Sequence, residues 1–333
     1  MMELSGISTF GSTIWTSLRD VERPFVRYLN PSTDAVQICR VDSGSSPIIL
    51  SVIIPTADAD RQGYFPALLE QIRTQNFQDF ELIIVRGDPR QGRAINMGAA
   101  LARGRYLITL DDDTSLPDRE TFGKLLSVME DHPDIGMAGG NNVIPNNCPP
   151  FIRRVMEQIP RRSWTPVLEI TDSDLAEHPC LIMRSDDFKA VGGENEWIPR
   201  GLDPYLRQEF RKLGKRVVLI PGVIYHHLPP GSWGKLLRQF YRNGRQAAFV
   251  NHHYPQWMIE TPEQHGAFKA QRPLIFRVFR FPWRLLKAFL TGKFIFFFSE
   301  VAYAAGFIYE LLINKHSPND IPPKGIDLHT GMN

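Results

Sequence analysis

Apolar residues in this chain follow two alternating rhythms: short unbroken runs, and longer stretches with apolar positions three and four apart. Residues 48–54 (IILSVII) form a continuous β-branched run stopped by Pro55, the pattern of a strand buried on both faces. Residues 65–74 place Leu68, Leu69 and Ile72 on one helical face. Residues 80–85 (FELIIV) make a second strand, 92–103 an alanine-rich helix ended by Gly104, and 106–110 a third strand. A helix opens at Leu116-Pro117-Asp118 and runs to about residue 131, where His132-Pro133 ends it; 135–140 is a fourth short strand. This alternation predicts βαβ units, and so an α/β fold with a mostly parallel central sheet.

The rhythm loosens after residue 140. Residues 141–166 read as irregular, proline-containing and basic, with Arg153, Arg154, Arg161 and Arg162. A strand at 167–171 is followed by the acidic Asp172-Ser173-Asp174, which is either a ligand-facing turn or a solvated one. A short strand at 180–183, a helix end and turn at 188–193 and a helix at 203–213 closed by Gly214 come next. Residues 216–220 (RVVLI) are the last strand, and Pro221-Gly222 turns the chain toward 223–227. Beyond it, Lys235, Arg238, Arg242 and Arg245 form one basic stripe on a helix, with Leu236, Leu237, Phe240 and Ala247 largely on another side. Residues 269–293 combine basic residues and aromatic rings without an acid, and Pro282 breaks or kinks them into two short helices. Residues 294–313 are apolar for about a bilayer's width, but Glu300 and Glu310 make a crossing costly. At the other end, Trp15, Leu18, Phe25 and Tyr28 suggest a small amphipathic helix, and 43–46 (SGSS) a linker. The expected division is an N-terminal extension (1–46), an α/β domain (47–230), a basic helical region (231–315) and a flexible tail (316–333).

Composition narrows the class. A net charge of +2 argues against bulk nucleic-acid binding. Cys39, Cys148 and Cys180 are too far apart for a disulfide framework or a zinc site, and read as reduced thiols. The N-terminus lacks the basic and apolar segments of a signal peptide. Neither a phosphate-loop lysine motif nor GxGxxG follows the first strand, which speaks against nucleoside-triphosphatase and dinucleotide-binding functions. The chemistry centres on Asp111-Asp112-Asp113, three adjacent carboxylates at the end of a buried strand. Open α/β sheets bind ligands at that end, and such a cluster suits a hard divalent cation as well as it suits a solvated acidic turn.

Several motifs together resemble an inverting family-2 glycosyltransferase with the GT-A fold, over about residues 48–250. They are the first strand through Pro55 and Thr56, then Gly92-Arg93-Ala94-Ile95-Asn96-Met97-Gly98, then Ala102-Arg103-Gly104-Arg105-Tyr106. The triplet comes where that family has its DxD motif. Gly192-Gly193, Arg200-Gly201-Leu202-Asp203, Gly214, Pro221 and His226 then occur in the family's order. The resemblance implies a nucleotide-diphospho-sugar donor, a bound Mn²⁺ or Mg²⁺, and attack by an acceptor hydroxyl on the anomeric carbon. It implies Asp111 and Asp113 as the metal pair with His226 beside them and His227 as its alternative. Pro55, Thr56, Asp88, Arg93, Asp111, Asp112, Arg242 and Arg245 fall on the donor side. Asp203 becomes the general base, alongside its reading as a helix cap, with Glu194 and Glu196 as competitors. One departure stands out: Arg86 replaces an acid that in this family reads the nucleotide base, leaving only Asp88 for that role.

The basic aromatic stretch, with the apolar segment behind it, predicts attachment of 269–313 to a membrane interface rather than to nucleic acid. It also offers a surface for self-association. The expected protein is a membrane-attached glycosyltransferase at the cytoplasmic face, acting on a lipid-linked or surface-glycan acceptor. The alternatives are a catalytically silent subunit of a glycan-assembly complex, or another nucleotide-sugar enzyme such as a nucleotidylyltransferase. The latter needs a Gly-rich run and a lysine that 55–63 lack.

Overall fold

The computed structural model describes residues 13–17, 37–42, 47–88, 90–258 and 274–313. Two strands lead, β1 (Thr13–Ser17) and β2 (Gln37–Asp42). The α/β layer follows as β3 (Leu50–Thr56), α1 (Tyr64–Arg73), β4 (Phe80–Arg86), α2 (Gln91–Leu101), β5 (Tyr106–Thr109), β6 (Thr114–Ser115), α3 (Thr121–Asp131) and β7 (Ile135–Asn142). The second half contributes α4 (Pro150–Gln158), β8 (Thr171–Asp172), β9 (Leu181–Arg184), α5 (Ser185–Ala190), α6 (Leu202–Lys212) and β10 (Arg216–His227). Three helices close the described chain, α7 (Trp233–His253), α8 (Leu274–Leu290) and α9 (Phe294–Ile313).

The strands form one sheet in the order β1-β2-β4-β3-β5-β9-β7-β10-β6, with β8 against β10. β4, β3, β5, β7 and β10 point the same way, and β9 runs against them between β5 and β7. The run in β3 explains its central place. Leu50, Val52 and Ile54 pack under α1 and α3, while Ile53 packs under α2 on the other face. α2 comes close because Gly98 faces Ile53; a Cβ there would lie 2.5 Å from Ile53 Cγ2. The result is the mostly parallel α/β sandwich of the GT-A class, with helices on both faces.

Several expectations change. β3 does not stop at Pro55 but continues to Thr56. Ile53 O accepts from Leu110 N–H, so alternation turns Pro55 toward the β5 side, where β5 has already ended and no ladder bond is lost. Pro221-Gly222 is not a turn but an irregularity inside β10, whose register shifts between Leu219 and Ile224. No strand covers 167–170, and 150–158 is helical rather than irregular. The third helix starts at Thr121, because 114–115 pair with β10 first. Trp15 lies in a strand rather than a helix. α8 continues through Pro282 as one helix. Leu18, Phe25, Tyr28, the linker at 43–46 and the tail at 316–333 fall outside the described residues.

The apolar α9 packs closely against α7. Gly244 of α7 and Gly306 of α9 face each other's helix backbone; added Cβ atoms would sit 1.9 Å from Tyr303 O and 2.0 Å from Tyr241 O. Both acids of α9 have partners: Glu310 accepts from Arg245 Nε at 2.7 Å, and Glu300 lies 3.5 Å from Arg284. By length and composition α9 is also sufficient to cross a bilayer. Its outer side, with that of α8, presents exposed Phe279, Trp283, Leu290, Leu311, Leu312 and Ile313.

Candidate active site

The site gathers at the carboxyl ends of the parallel strands. After β5, Thr114 N–H donates to Asp111 O, and the three aspartates occupy that tight turn. Each then takes a different environment. Asp112 is buried, accepts from Thr56 Oγ1 at 2.7 Å and meets Arg61 Nε at 3.2 Å. Asp111 accepts from Gln91 Nε2 at 2.8 Å. Asp113 accepts from Arg61 Nη2 at 3.0 Å, and its other oxygen lies 3.0 Å from His227 Nε2. His227 also stands 3.8 Å from Asp111.

Asp111, Asp113 and His227 offer ligand atoms that all lie within 4.8 Å of one another. Two carboxylate oxygens and one imidazole nitrogen suit Mn²⁺ well and Mg²⁺ through the oxygens. The structure therefore brings His227, not His226, to the carboxylates. β6 pairs with the end of β10, setting His227 opposite Thr114 and His226 opposite Ser115. Neighbouring side chains on a strand point to opposite faces, so only one histidine can reach the turn. His226 instead donates from Nδ1 to Val143 O at 2.7 Å.

The charges divide the cluster. Burial pushes the Asp111 carboxyl up to about 7, with Asp113 adding to the rise and His227 opposing it. Burial would also raise Asp113, but His227 and Arg61 outweigh it and hold that carboxyl at about 2. Arg61 reaches the cluster from the loop after β3, where Ala59, Arg61 and Gln62 all have positive φ (61°, 49° and 60°). Non-glycine residues pay for that conformation, so this loop is locally strained.

Behind the cluster lies a second network. His178 donates its backbone N–H to Asp203 Oδ1 at 2.8 Å. Its ring donates from Nε2 to Glu194 Oε1 at 2.7 Å, and its Nδ1 lies 3.1 Å from Thr109 Oγ1. The Thr109 hydroxyl is already donated to His178 O at 3.2 Å, so its oxygen is left to accept from Nδ1–H. Both ring nitrogens then donate, which fits an imidazolium. Burial disfavours that charge, but Glu194, Asp203 and Asp111 raise the imidazole to about 9. Asp203 sits in the first turn of α6, after Gly201 at φ 86°. Burial pushes its carboxyl up, yet His178 and Arg207 outweigh burial and hold it below the ordinary carboxylate range.

Other candidates resolve differently. Asp88 and Arg93 bind each other in a buried bidentate pair, Nε to Oδ2 at 2.6 Å and Nη2 to Oδ1 at 2.8 Å. Asp88 also accepts from Arg90 N–H, so the pair braces the end of β4. Pro55 and Thr56 end β3 beside the triplet, with Thr56 fixing Asp112. Asp172 is an exposed partner of Arg216, away from the cluster. Glu196 is buried and accepts from Asn96 Nδ2 at 2.9 Å. Arg242 and Arg245 line a cavity of about 450 Å³ with Arg90, Arg238, Pro199 and Glu310, and no member of the aspartate cluster is in its wall. Arg61, Gln91 and His178 carried no local signal in the sequence, since their relevance depends on loops that meet only after folding.

The site is thus an acidic turn at the carboxyl end of a mostly parallel α/β sheet, and known proteins share parts of this frame. Residues 85–189 match the Glycosyl transferase family 2 domain, a stretch holding the triplet, His178 and β9. A mannosyltransferase from Pyrobaculum calidifontis, solved with GDP-Man and Mn²⁺, superposes with a TM-score of 0.53 at 14% identity, covering 80% of this chain and 88% of that one. At that identity the likeness shows the GT-A fold. An uncharacterized glycosyltransferase of Haemophilus influenzae is 33% identical over 110 residues, spanning 26% of this chain and 36% of that protein's length. The S. aureus TarS structure with UDP-GlcNAc gives a TM-score of 0.43 at 15% identity, covering 61% of this chain and 67% of that one, and adds nothing to the fold assignment.

Proposed function

We propose that this protein is an inverting, metal-dependent glycosyltransferase. It moves a sugar from a nucleotide-diphospho-sugar to a hydroxyl of a lipid-linked or surface-glycan acceptor. The observation that carries the reading is the convergence of Asp111, Asp113 and His227 at the end of β5, with Asp203 close enough for its charge to act on Asp111. Asp111, Asp113 and His227 would hold Mn²⁺ or Mg²⁺, which supplies Lewis-acid neutralisation of a departing diphosphate. Asp112 is committed to Thr56 and Arg61, and serves to fix the turn. Arg61 adds a cation at the same edge. Asp203 is kept ionised at neutral pH, so it can take the proton of the attacking hydroxyl. The His178 N–H holds one of its oxygens and leaves the other for the substrate.

The C-terminal helices support attachment to the cytoplasmic face of a membrane. The outer sides of α8 and α9 are apolar, and Arg280, Lys287 and Lys293 are exposed near them. A soluble donor and a membrane-borne acceptor would meet at such a border. The same helices are the surface for any self-association.

The test is calorimetry of GDP and UDP with purified protein, with and without Mn²⁺. Metal-dependent binding of at least one nucleotide is expected. Absence of binding to both, in either condition, overturns the proposal.

A further inference from the structure

We infer that the arginine-lined cavity between α7 and the segment before α6 is a separate anion subsite, which receives a phosphate group carried by the acceptor. The inference rests on the transferase reading above, and names the substrate class of its acceptor side.

The cavity measures about 450 Å³, and Arg90, Arg238, Arg242 and Arg245 all contribute to its wall. The wall holds a single carboxylate, Glu310, and that one is engaged by Arg245 at 2.7 Å. Arg238 and Arg242 are exposed, and among the described residues neither has a carboxylate within ion-pair distance. Two further arginines lie nearby, outside the cavity wall: Arg200 feels Arg242, and Arg162 is bonded to Gln239 of α7. Arg162 is held by a neutral amide, Gln239 Oε1 at 2.8 Å, and by the face of Phe240 at 6.0 Å. Arg200 lies over the Tyr303 ring at 5.8 Å. Fixing guanidinium groups with amides and rings leaves their charge available to a ligand. Burial and then Arg200 push the Arg162 guanidinium down to about 10 against Glu177 and Asp113, and burial, with Arg161 and Arg242, lowers Arg200 as well.

Two observations assign the cavity to the acceptor rather than to the donor. First, its wall includes none of Asp111, Asp113 and His227, where the donor's diphosphate is expected. Second, Pro199 in the wall lies four residues before Asp203, the proposed base, on the segment leading into α6. A base must touch the acceptor's hydroxyl, and this short segment ties the cavity wall to the base. The chemistry beside the cavity points to an apolar group attached to the phosphate. Glu310 in the wall is succeeded by Leu311, Leu312 and Ile313, all exposed. An anionic head in the cavity with an apolar tail over the end of α9 fits both surfaces.

The test uses Arg238→Gln/Arg242→Gln in the full chain; both side chains are exposed, and an unchanged melting temperature confirms folding. Binding is measured for four probes: the nucleotide with Mn²⁺, a medium-chain alkyl phosphate in neutral detergent micelles, the matching alcohol in the same micelles, and inorganic phosphate. The native chain is expected to bind the alkyl phosphate and not the alcohol. The double variant is expected to lose about tenfold or more in alkyl phosphate affinity, while nucleotide affinity stays within about twofold. Inorganic phosphate binding as tightly as the alkyl phosphate would assign the cavity to a soluble phosphorylated acceptor and overturn the tail. Failure of the native chain to bind any phosphate probe overturns the subsite, and so does a parallel loss of nucleotide affinity. Loss of nucleotide binding in the native chain itself is the separate outcome that overturns the transferase reading.

Discussion

Two regions of this molecule, the β5 edge and the α7 face, handle charge in opposite ways. On the β5 side, three carboxylates crowd one turn, and the chain itself partly offsets them with Arg61 and His227. On the α7 side, Arg90, Arg238, Arg242 and Arg245 line a cavity whose one carboxylate, Glu310, is engaged by Arg245. The acidic wall is built on the core sheet, where backbone geometry is rigid. The basic wall is mounted on α7 and α9, whose approach depends on two glycines. Asp203 feels His178 and Arg207 first and Arg161 after them, and its own charge acts on Asp111.

The comparison can be broken at four points. The largest effect is expected at the junction: Asp203→Asn should slow transfer by about a thousandfold, since a positioned base contributes roughly 10²–10⁴. Nucleotide binding should persist, as read by calorimetry; if turnover is unaffected, the base lies elsewhere. Next, Gly306→Ala puts a methyl 2.0 Å from Tyr241 O and should cost about 3 kcal/mol of helix docking. Proteolysis should then release α9 while Mn²⁺ and nucleotide binding survive, separating the basic wall from the acidic one. Third, His227→Ala should weaken Mn²⁺ binding about tenfold, as loss of one of three ligands would. His226→Ala should leave Mn²⁺ affinity unchanged, and a reversed ranking would reject the assignment of His227.

The smallest effect concerns pH. The His178 imidazole rises from an ordinary value near 6.5 to about 9 on folding, so the folded state binds its proton more tightly. Its contribution is complete below about pH 6.5 and fades as pH rises through about 9. The melting temperature should fall by a few degrees across that window, and His178→Gln should flatten the fall. A native profile with no decline between these values would mean the ring is neutral when folded.

Much of the acidic wall was legible in the sequence. Three aspartates after a buried strand announce a charged turn whatever surrounds them, and glycines at 192–193 and 201 mark the bends before Asp203. The choice between His226 and His227 was not legible, because it turns on which face of β10 meets β6. Pro55 looked like a strand end because a missing N–H usually is one. Only the early end of β5 makes it harmless. Asp88 and Arg93 looked like ligand contacts, and folding sets them against each other. Arg242 and Arg245 were legible as a basic stripe, but not as the wall of a cavity apart from the aspartates.

By itself, then, the sequence determined the layered α/β frame and the carboxylates at its strand ends, since periodicity and burial act over neighbouring residues. The tertiary structure alone decided which histidine joins them, that Arg61 comes across from a strained loop to meet them, and that His178 holds Asp203. Those pairings join residues tens of positions apart. Their geometry is set by strand register and helix packing, where a shift of one residue sends a side chain to the opposite face.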